Sequence, residues 1–146
     1  MNFGVKVPMR DRVELSADIY RPDARGKFPV ILERTPYSSL ASADYQKRVA
    51  VLGKFFARRG FAFVFQDCRG KNESDGVFYP MINETEDGYD TQEWCGTQSW
   101  SNGNVGTYGA SYDGWNQWLA ACLANKHLKT MVSICAPPDP FLNEWR

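Results

Sequence analysis

The segment Gly109-Ala110-Ser111-Tyr112-Asp113-Gly114 joins a hydroxyl nucleophile to small residues on both sides. On a sharp turn between a buried strand and a helix, such a serine stands out at the carboxyl edge of a sheet. Only small neighbours avoid collision there, and Gly109, Ala110 and Gly114 meet that need. The same turn aims the first amides of the helix, notably the Tyr112 N–H, at the space before the serine oxygen, where aligned donors stabilise a developing oxyanion. The chemistry served is nucleophilic acyl transfer. The spacing is Gly-x-Ser-x-x-Gly rather than the commoner Gly-x-Ser-x-Gly, and it also fits a glycine-rich turn in which Ser111 caps the helix. Glycines at 103, 106, 109 and 114 meet neither the dinucleotide nor the P-loop spacing. Asp113 adds a carboxylate beside the nucleophile that either points into water or discourages anionic substrates.

The elements that must position this turn follow from hydrophobic periodicity. Val5, Val7 and Met9, then Val13, Leu15, Ala17 and Ile19, alternate with polar residues, which predicts two antiparallel edge strands joined at Arg10-Asp11-Arg12. Phe28 to Glu33 reads as a third strand, with Pro29 near its start. Tyr45, Val49, Leu52 and Phe56 recur at helical spacing behind a capping Ser42, and Arg58-Arg59-Gly60 supplies a cationic last turn and a stop. Phe61 to Phe65 is continuously apolar, the pattern of a strand covered on both faces. Asn83 followed by Glu86 resembles a capping box for a helix running to about Trp94. Asn104 to Tyr108 predicts the strand entering the serine turn. Trp115, Trp118, Leu119, Cys122 and Leu123 predict the apolar face of the helix leaving it, and Thr130 to Cys135 a last strand. The resulting fold class is α/β: a mainly parallel sheet with helices on both faces and an N-terminal antiparallel hairpin.

With those segments in view, the sequence resembles the amino-terminal part of the α/β-hydrolases grouped with X-prolyl dipeptidyl peptidase, cocaine esterase and the α-amino acid ester hydrolases. The resemblance rests on Met9-Arg10-Asp11, Leu15 to Pro22, Arg34-Thr35-Pro36-Tyr37 and Gln66-Asp67-Cys68-Arg69-Gly70. It continues through Asn83-Glu84, Glu86 to Asp90 and Trp100-Ser101-Asn102-Gly103, and ends on Gly109 to Gly114. It implies Ser111 as the acylated nucleophile, with the Tyr112 amide and the Tyr37 hydroxyl as oxyanion donors, and it implies no cofactor. Asp67, Arg69 and Asp87 are expected to anchor loops around the site, and Trp115 and Trp118 to face the core. Arg12 and Asn72 stand where the family often has glycine.

Formal net charge is zero, with 17 Lys plus Arg against 17 Asp plus Glu, which removes the electrostatic footprint of a nucleic-acid binder. No apolar run approaches the roughly 20 residues of a membrane span, and no apolar signal region follows Met1. The expected setting is the cytoplasm, and the expected partner is a small ester, amide or short peptide substrate. Cys68, Cys95, Cys122 and Cys135 lack C-x-x-C spacing and lie in apolar stretches, so four reduced, buried thiols are expected.

A serine hydrolase also needs a base and an acid, which in this fold follow the nucleophile in the chain. His127 is the only histidine, and a helix rising ~1.5 Å per residue carries it about 20 Å from Ser111, to the opposite sheet edge. Asp139 follows a strand parallel to that of Ser111 and reaches the right edge. Residues 1–146 therefore read as the N-terminal half of a catalytic domain, inactive alone, with Cys135 to Arg146 as the start of a cap. The alternative is a non-catalytic module that assembles through the apolar edge of its last strand.

Overall fold

The computed structural model describes residues 1–37, 43–136 and 138, and for residues 44–46 the backbone alone. Strands β1 (Asn2–Pro8) and β2 (Glu14–Tyr20) form the antiparallel hairpin. Its loop, Arg10-Asp11-Arg12, closes with Met9 N–H donating to Val13 O at 2.9 Å and Arg12 N–H donating to Met9 O at 2.9 Å. Arg12 sits at φ 71, the left-handed position that ends a three-residue hairpin loop and that glycine would occupy at lower cost.

β3 (Phe28–Thr35), β4 (Ala62–Asp67), β5 (Ser101–Ala110) and β6 (Leu128–Ile134) complete a six-stranded sheet in the order β1-β2-β4-β3-β5-β6. β4, β3, β5 and β6 are mutually parallel, and β2 meets β4 antiparallel. Each parallel crossover carries a helix: α1 (Ala43–Ala57), α2 (Glu84–Thr97) and α3 (Tyr112–Ala121). Successive residues of β4 point to opposite faces, which is why it can be apolar throughout. Phe63 and Phe65 join Tyr20, Val49, Leu52 and Phe56 under α1, with Phe56 stacked on Phe63 at 5.4 Å between ring centroids. Ala62 and Val64 turn the other way, toward Val7, Leu15, Leu32, Val105 and Cys95. All six β4 residues are buried.

Three expectations are corrected. Asn83 does not build a capping box: its backbone is helical (φ −93, ψ −5), so its side chain makes no capping bond. Glu86 reaches instead to Arg10 at 3.4 Å. The apolar stripe of α3 is not its core face. The buried positions are Asp113, Gly114, Asn116, Gln117 and Ala120, whereas Leu123 and Cys122 are exposed and Trp115, Trp118 and Leu119 half-buried. Hydrogen bonding decides that orientation: Asn116 Nδ2 donates to the Arg34 carbonyl at 2.7 Å, and Gln117 bridges Thr107 and the Asp113 carbonyl at 2.8 Å each. Among the cysteines, all free, only Cys68 and Cys95 are buried; Cys122 and Cys135 are exposed. The expected cap at Ser42, the side chain of Tyr45, Asp139 and the segment 139–146 lie outside the described residues.

Candidate functional site at the carboxyl edge of the sheet

β5 ends at Ala110 and α3 begins at Tyr112, so the whole reversal falls on Ser111. Its backbone takes φ 57, ψ −121, a sparsely populated conformation for a side-chain-bearing residue. Three hydrogen bonds impose it. Ser111 N–H donates to Ile134 O of β6, and Ser111 O accepts from the Gly114 and Trp115 amides, each at 2.9 Å. The Ser111 side chain is exposed and makes no capping bond to the helix, so the capping role is not the one it plays. A Cβ at Gly109 would lie 2.5 Å from Asp113 Cβ, and one at Gly114 would lie 2.6 Å from Ala136 Cβ. Both glycines are required by close approach.

Tyr112, as the first helical residue, has an amide with no intrahelical acceptor, and it lies at the end of the helix where that amide points outward. Its phenol faces the other way. Tyr112 Oη donates to Glu84 Oε1 at 3.0 Å and accepts from the Met81 amide at 3.0 Å, and burial together with the Glu84 charge pushes its pKa up. The phenol thus ties the start of α3 to the start of α2. Tyr37 lies two residues beyond β3, with its side chain 48% exposed and its amide bonded to Thr35 Oγ1 at 3.1 Å. Leu32 pairs with Thr107 in the parallel register of β3 and β5, so Tyr37 and Ser111 leave adjacent strands at the same edge.

Beneath the turn runs an ion network, buried at Arg34, Glu84 and Asp87 and exposed at Asp11. Arg34 Nη1 pairs with Glu84 Oε2 at 2.8 Å and Arg34 Nε donates to Gln66 Oε1 at 2.8 Å, while Arg69 bridges Asp87 at 2.6 Å and Asp11 at 2.7 Å. Arg69 and Asp87 are structural anchors, as expected. Asp67 receives Asn72 Nδ2 at 2.8 Å, and burial raises its pKa to about 6. Arg34 and Glu84 carry more of the network than sequence reasoning assigned them. The available signal was a Glu33-Arg34 pair inside a buried strand, since charges there require partners. Glu33, fully buried, finds Arg48 of α1 at 2.7 Å.

Asp113 does not point into water. Only 4% of it is exposed, turned in beneath the turn, and burial, then the Glu33 charge, raises its carboxyl pKa to about 8. Its Oδ1 has no hydrogen-bond partner. His127 holds Gly103 O through Nδ1 at 2.8 Å, at the amino end of β5. Eight strand residues at ~3.3 Å each separate that point from Ser111, about 25 Å in all. Trp118 donates its indole N–H to Ser133 Oγ at 3.0 Å and to Ala136 O at 3.1 Å. Among the described residues no group of three His, Cys, Asp or Glu could hold a metal ion, and no helix is long and apolar enough to cross a membrane.

Residues 11–146 match the X-Pro dipeptidyl-peptidase (S15) family. The chain belongs to that family. The cocaine esterase of Rhodococcus sp. (strain MB1 Bresler) is 40% identical over 141 residues, covering 97% of this chain and 24% of that protein. The Xaa-Pro dipeptidyl-peptidase of Lactobacillus helveticus is 36% identical over 127 residues, covering 74% of this chain and 16% of its own length. The crystal structure of a CocE/NonD family hydrolase from Staphylococcus aureus superposes with a TM-score of 0.77 at 33% identity, covering 89% of this chain and 26% of that one. The S15 chain thus has the α/β-hydrolase architecture and spans about a quarter, or less, of the length of these relatives.

Proposed function

We propose that the protein to which these residues belong hydrolyses acyl ester or amide bonds, Xaa-Pro peptide bonds among them, through an acyl-enzyme on Ser111. The observation that carries this reading is the Ser111 backbone at φ 57, ψ −121, which holds an uncommitted hydroxyl out at the sheet edge. The serine oxygen attacks the acyl carbon and its proton passes to a base. The carbonyl oxygen becomes an oxyanion held by the Tyr112 amide and the Tyr37 hydroxyl; the leaving group departs protonated, and water then releases the acid. His127 is held at the far edge, so the base and its orienting acid come from outside residues 1–146. These residues are the N-terminal half of the catalytic domain and turn over poorly by themselves. Kinship with an esterase and with an Xaa-Pro dipeptidyl-peptidase supports the substrate class.

The test is fluorophosphonate labelling of the purified chain with peptide mass mapping and a Ser111→Ala control. An adduct on Ser111, absent from the variant, supports the assignment. A folded chain labelled equally with and without Ser111 overturns it.

A second reading, an assembly module, is favoured by one observation: among the described residues β6 pairs with β5 alone, and it exposes Val132 at 48% and Ile134 at 39%. A dimer of fixed mass in static light scattering supports that reading, and concentration-dependent aggregation counts against it.

A further inference from the structure

The two oxyanion donors of the proposed reaction come from different elements: the Tyr112 amide from the start of α3, the Tyr37 hydroxyl from the segment after β3. Between those elements the sheet splits. The paired register of β3 and β5 ends at Leu32 and Thr107. Beyond that point each strand continues only with its other neighbour. β3 follows β4 as far as Thr35 opposite Asp67, and β5 follows β6 as far as Ala110 opposite Ile134. The Thr35 carbonyl faces β4, where it accepts the Cys68 amide at 2.8 Å. Carbonyls alternate in direction along a strand, so that of Arg34 faces the split and needs a partner from elsewhere.

Arg34 is bound to α3 twice across this gap. Its carbonyl accepts Asn116 Nδ2 at 2.7 Å. Its guanidinium holds Glu84 Oε2 at 2.8 Å, and Glu84 Oε1 accepts the Tyr112 phenol at 3.0 Å. Arg34, Glu84 and Asn116 are each only 3–4% exposed, so both ties lie out of water. On the other side, Thr35 Oγ1 takes the Tyr37 amide at 3.1 Å and fixes the Tyr37 segment to the end of β3. One residue thus connects the two elements that carry the donors, through its main chain and through its side chain. Oxyanion donors work only within a narrow range of distance, about 2.7–3.1 Å from the charge, and a split sheet does not set that distance by itself.

We propose that Arg34, acting through Glu84 and Asn116, is the positioning residue of the oxyanion hole: it clamps the split between β3 and β5 and sets the spacing of the Tyr37 hydroxyl and the Tyr112 amide. The inference rests on the acyl-transfer reading of Ser111. A buried ion pair is a weak source of stability, and what this one supplies is geometry.

The clamp is cut without removing either donor in Tyr112→Phe, which keeps the amide, and in Asn116→Leu. Second-order rates of fluorophosphonate labelling at Ser111 are measured for both variants, for Tyr37→Phe and for the two double variants. Either cut is expected to slow labelling at least roughly tenfold in the native background and by no more than about twofold in the Tyr37→Phe background, because a spacing loses its effect once one donor is gone. A general loss of stability slows both backgrounds alike. The full effect persisting in the Tyr37→Phe background, or native rates in both cut variants, overturns the proposal. Labelling undiminished by Tyr37→Phe alone overturns the Tyr37 donor and this proposal with it.

Amide hydrogen exchange reads the clamp without any chemistry at Ser111. The Tyr37 amide is expected to exchange at least roughly tenfold faster in both cut variants. The Val105 amide, bonded to His127 O at 2.9 Å at the opposite edge, is expected to keep its rate. Equal acceleration at both positions, or none at Tyr37, overturns the clamp. If the native chain takes no label at Ser111, the hydrolase reading fails, and exchange at Tyr37 alone decides whether Arg34 holds the two elements together.

Discussion

At the scale of the residue, Ser111 and Asp113 show what local sequence can and cannot specify. Ser111 was legible because its constraint is written in its neighbours: a Cβ at Gly109 or Gly114 has no room, and that requirement lies within six residues. Its backbone conformation costs on the order of 1–3 kcal/mol in a residue bearing a side chain. Ser111→Gly is therefore expected to raise the urea midpoint while abolishing the fluorophosphonate adduct, and an unchanged or lower midpoint would contradict the strain. Asp113 was not legible, because its direction is set by β3, Glu33 and α1, far from it in sequence. Its folded-state pKa of about 8 lies above that of an unfolded aspartate. Between about pH 4 and pH 8 the native state thus holds a proton that the unfolded chain has released, and stability falls as pH rises through that window. Asp67, at about 6, adds to the lower half of the same window. Unfolding free energies from urea titrations at pH 5 and pH 8 are expected to differ by about 1–3 kcal/mol in the native protein and by clearly less in Asp113→Asn.

At the scale of the element, strands were read more accurately than helix faces. Hydrophobic alternation placed β1 and β2, and a continuous apolar run placed β4, with β2 and β4 within a residue or two of their bounds, because a pleated strand has only two faces to choose from. A helix has many, and α3 chose its buried one by hydrogen bonds rather than by apolarity. Gln117 joins Thr107 Oγ1 to the Asp113 carbonyl, and Asn116 grips β3 through the Arg34 carbonyl. Gln117→Leu adds apolarity at a buried position and is nevertheless expected to destabilise by about 1–3 kcal/mol, since it strands both of its partners. Leu123→Lys removes an apolar residue from the stripe and is expected to change stability by less than about 0.5 kcal/mol. Thermal unfolding of the two variants checks the pair, and the reverse order would restore the stripe as the core face. The failed cap at Asn83 has the same origin: the entry to α2 is fixed by Arg10, Arg34 and Arg69 reaching for its acidic first turn, so the local capping motif has no work to do.

At the scale of the molecule, the antiparallel hairpin, the parallel strands and the placement of helices on both faces follow from the order of the elements, and the S15 kinship agrees with them. The identity of the base does not follow, because the only histidine is committed to Gly103 at the far edge. The side of β6 that pairs with no strand among the described residues is expected to drive association that rises with concentration. Val132→Lys, which places a charge on that strand, is expected to lower the weight-average mass in static light scattering. The ion network carries one further consequence, concerning time rather than space. Asp11 and its partner Arg69 are separated by 58 residues, and Arg10 and Asp90 by 80. At a synthesis rate of about 5–20 residues per second, the hairpin loop emerges several seconds before any group that can hold it, and a two-stranded ribbon is marginal on its own in water. The hairpin loop, made before its partners, is thus among the last parts of this unit to be secured, and the serine turn, joined to the same network through Glu84 and Tyr112, takes its final shape only once that earlier segment has been caught.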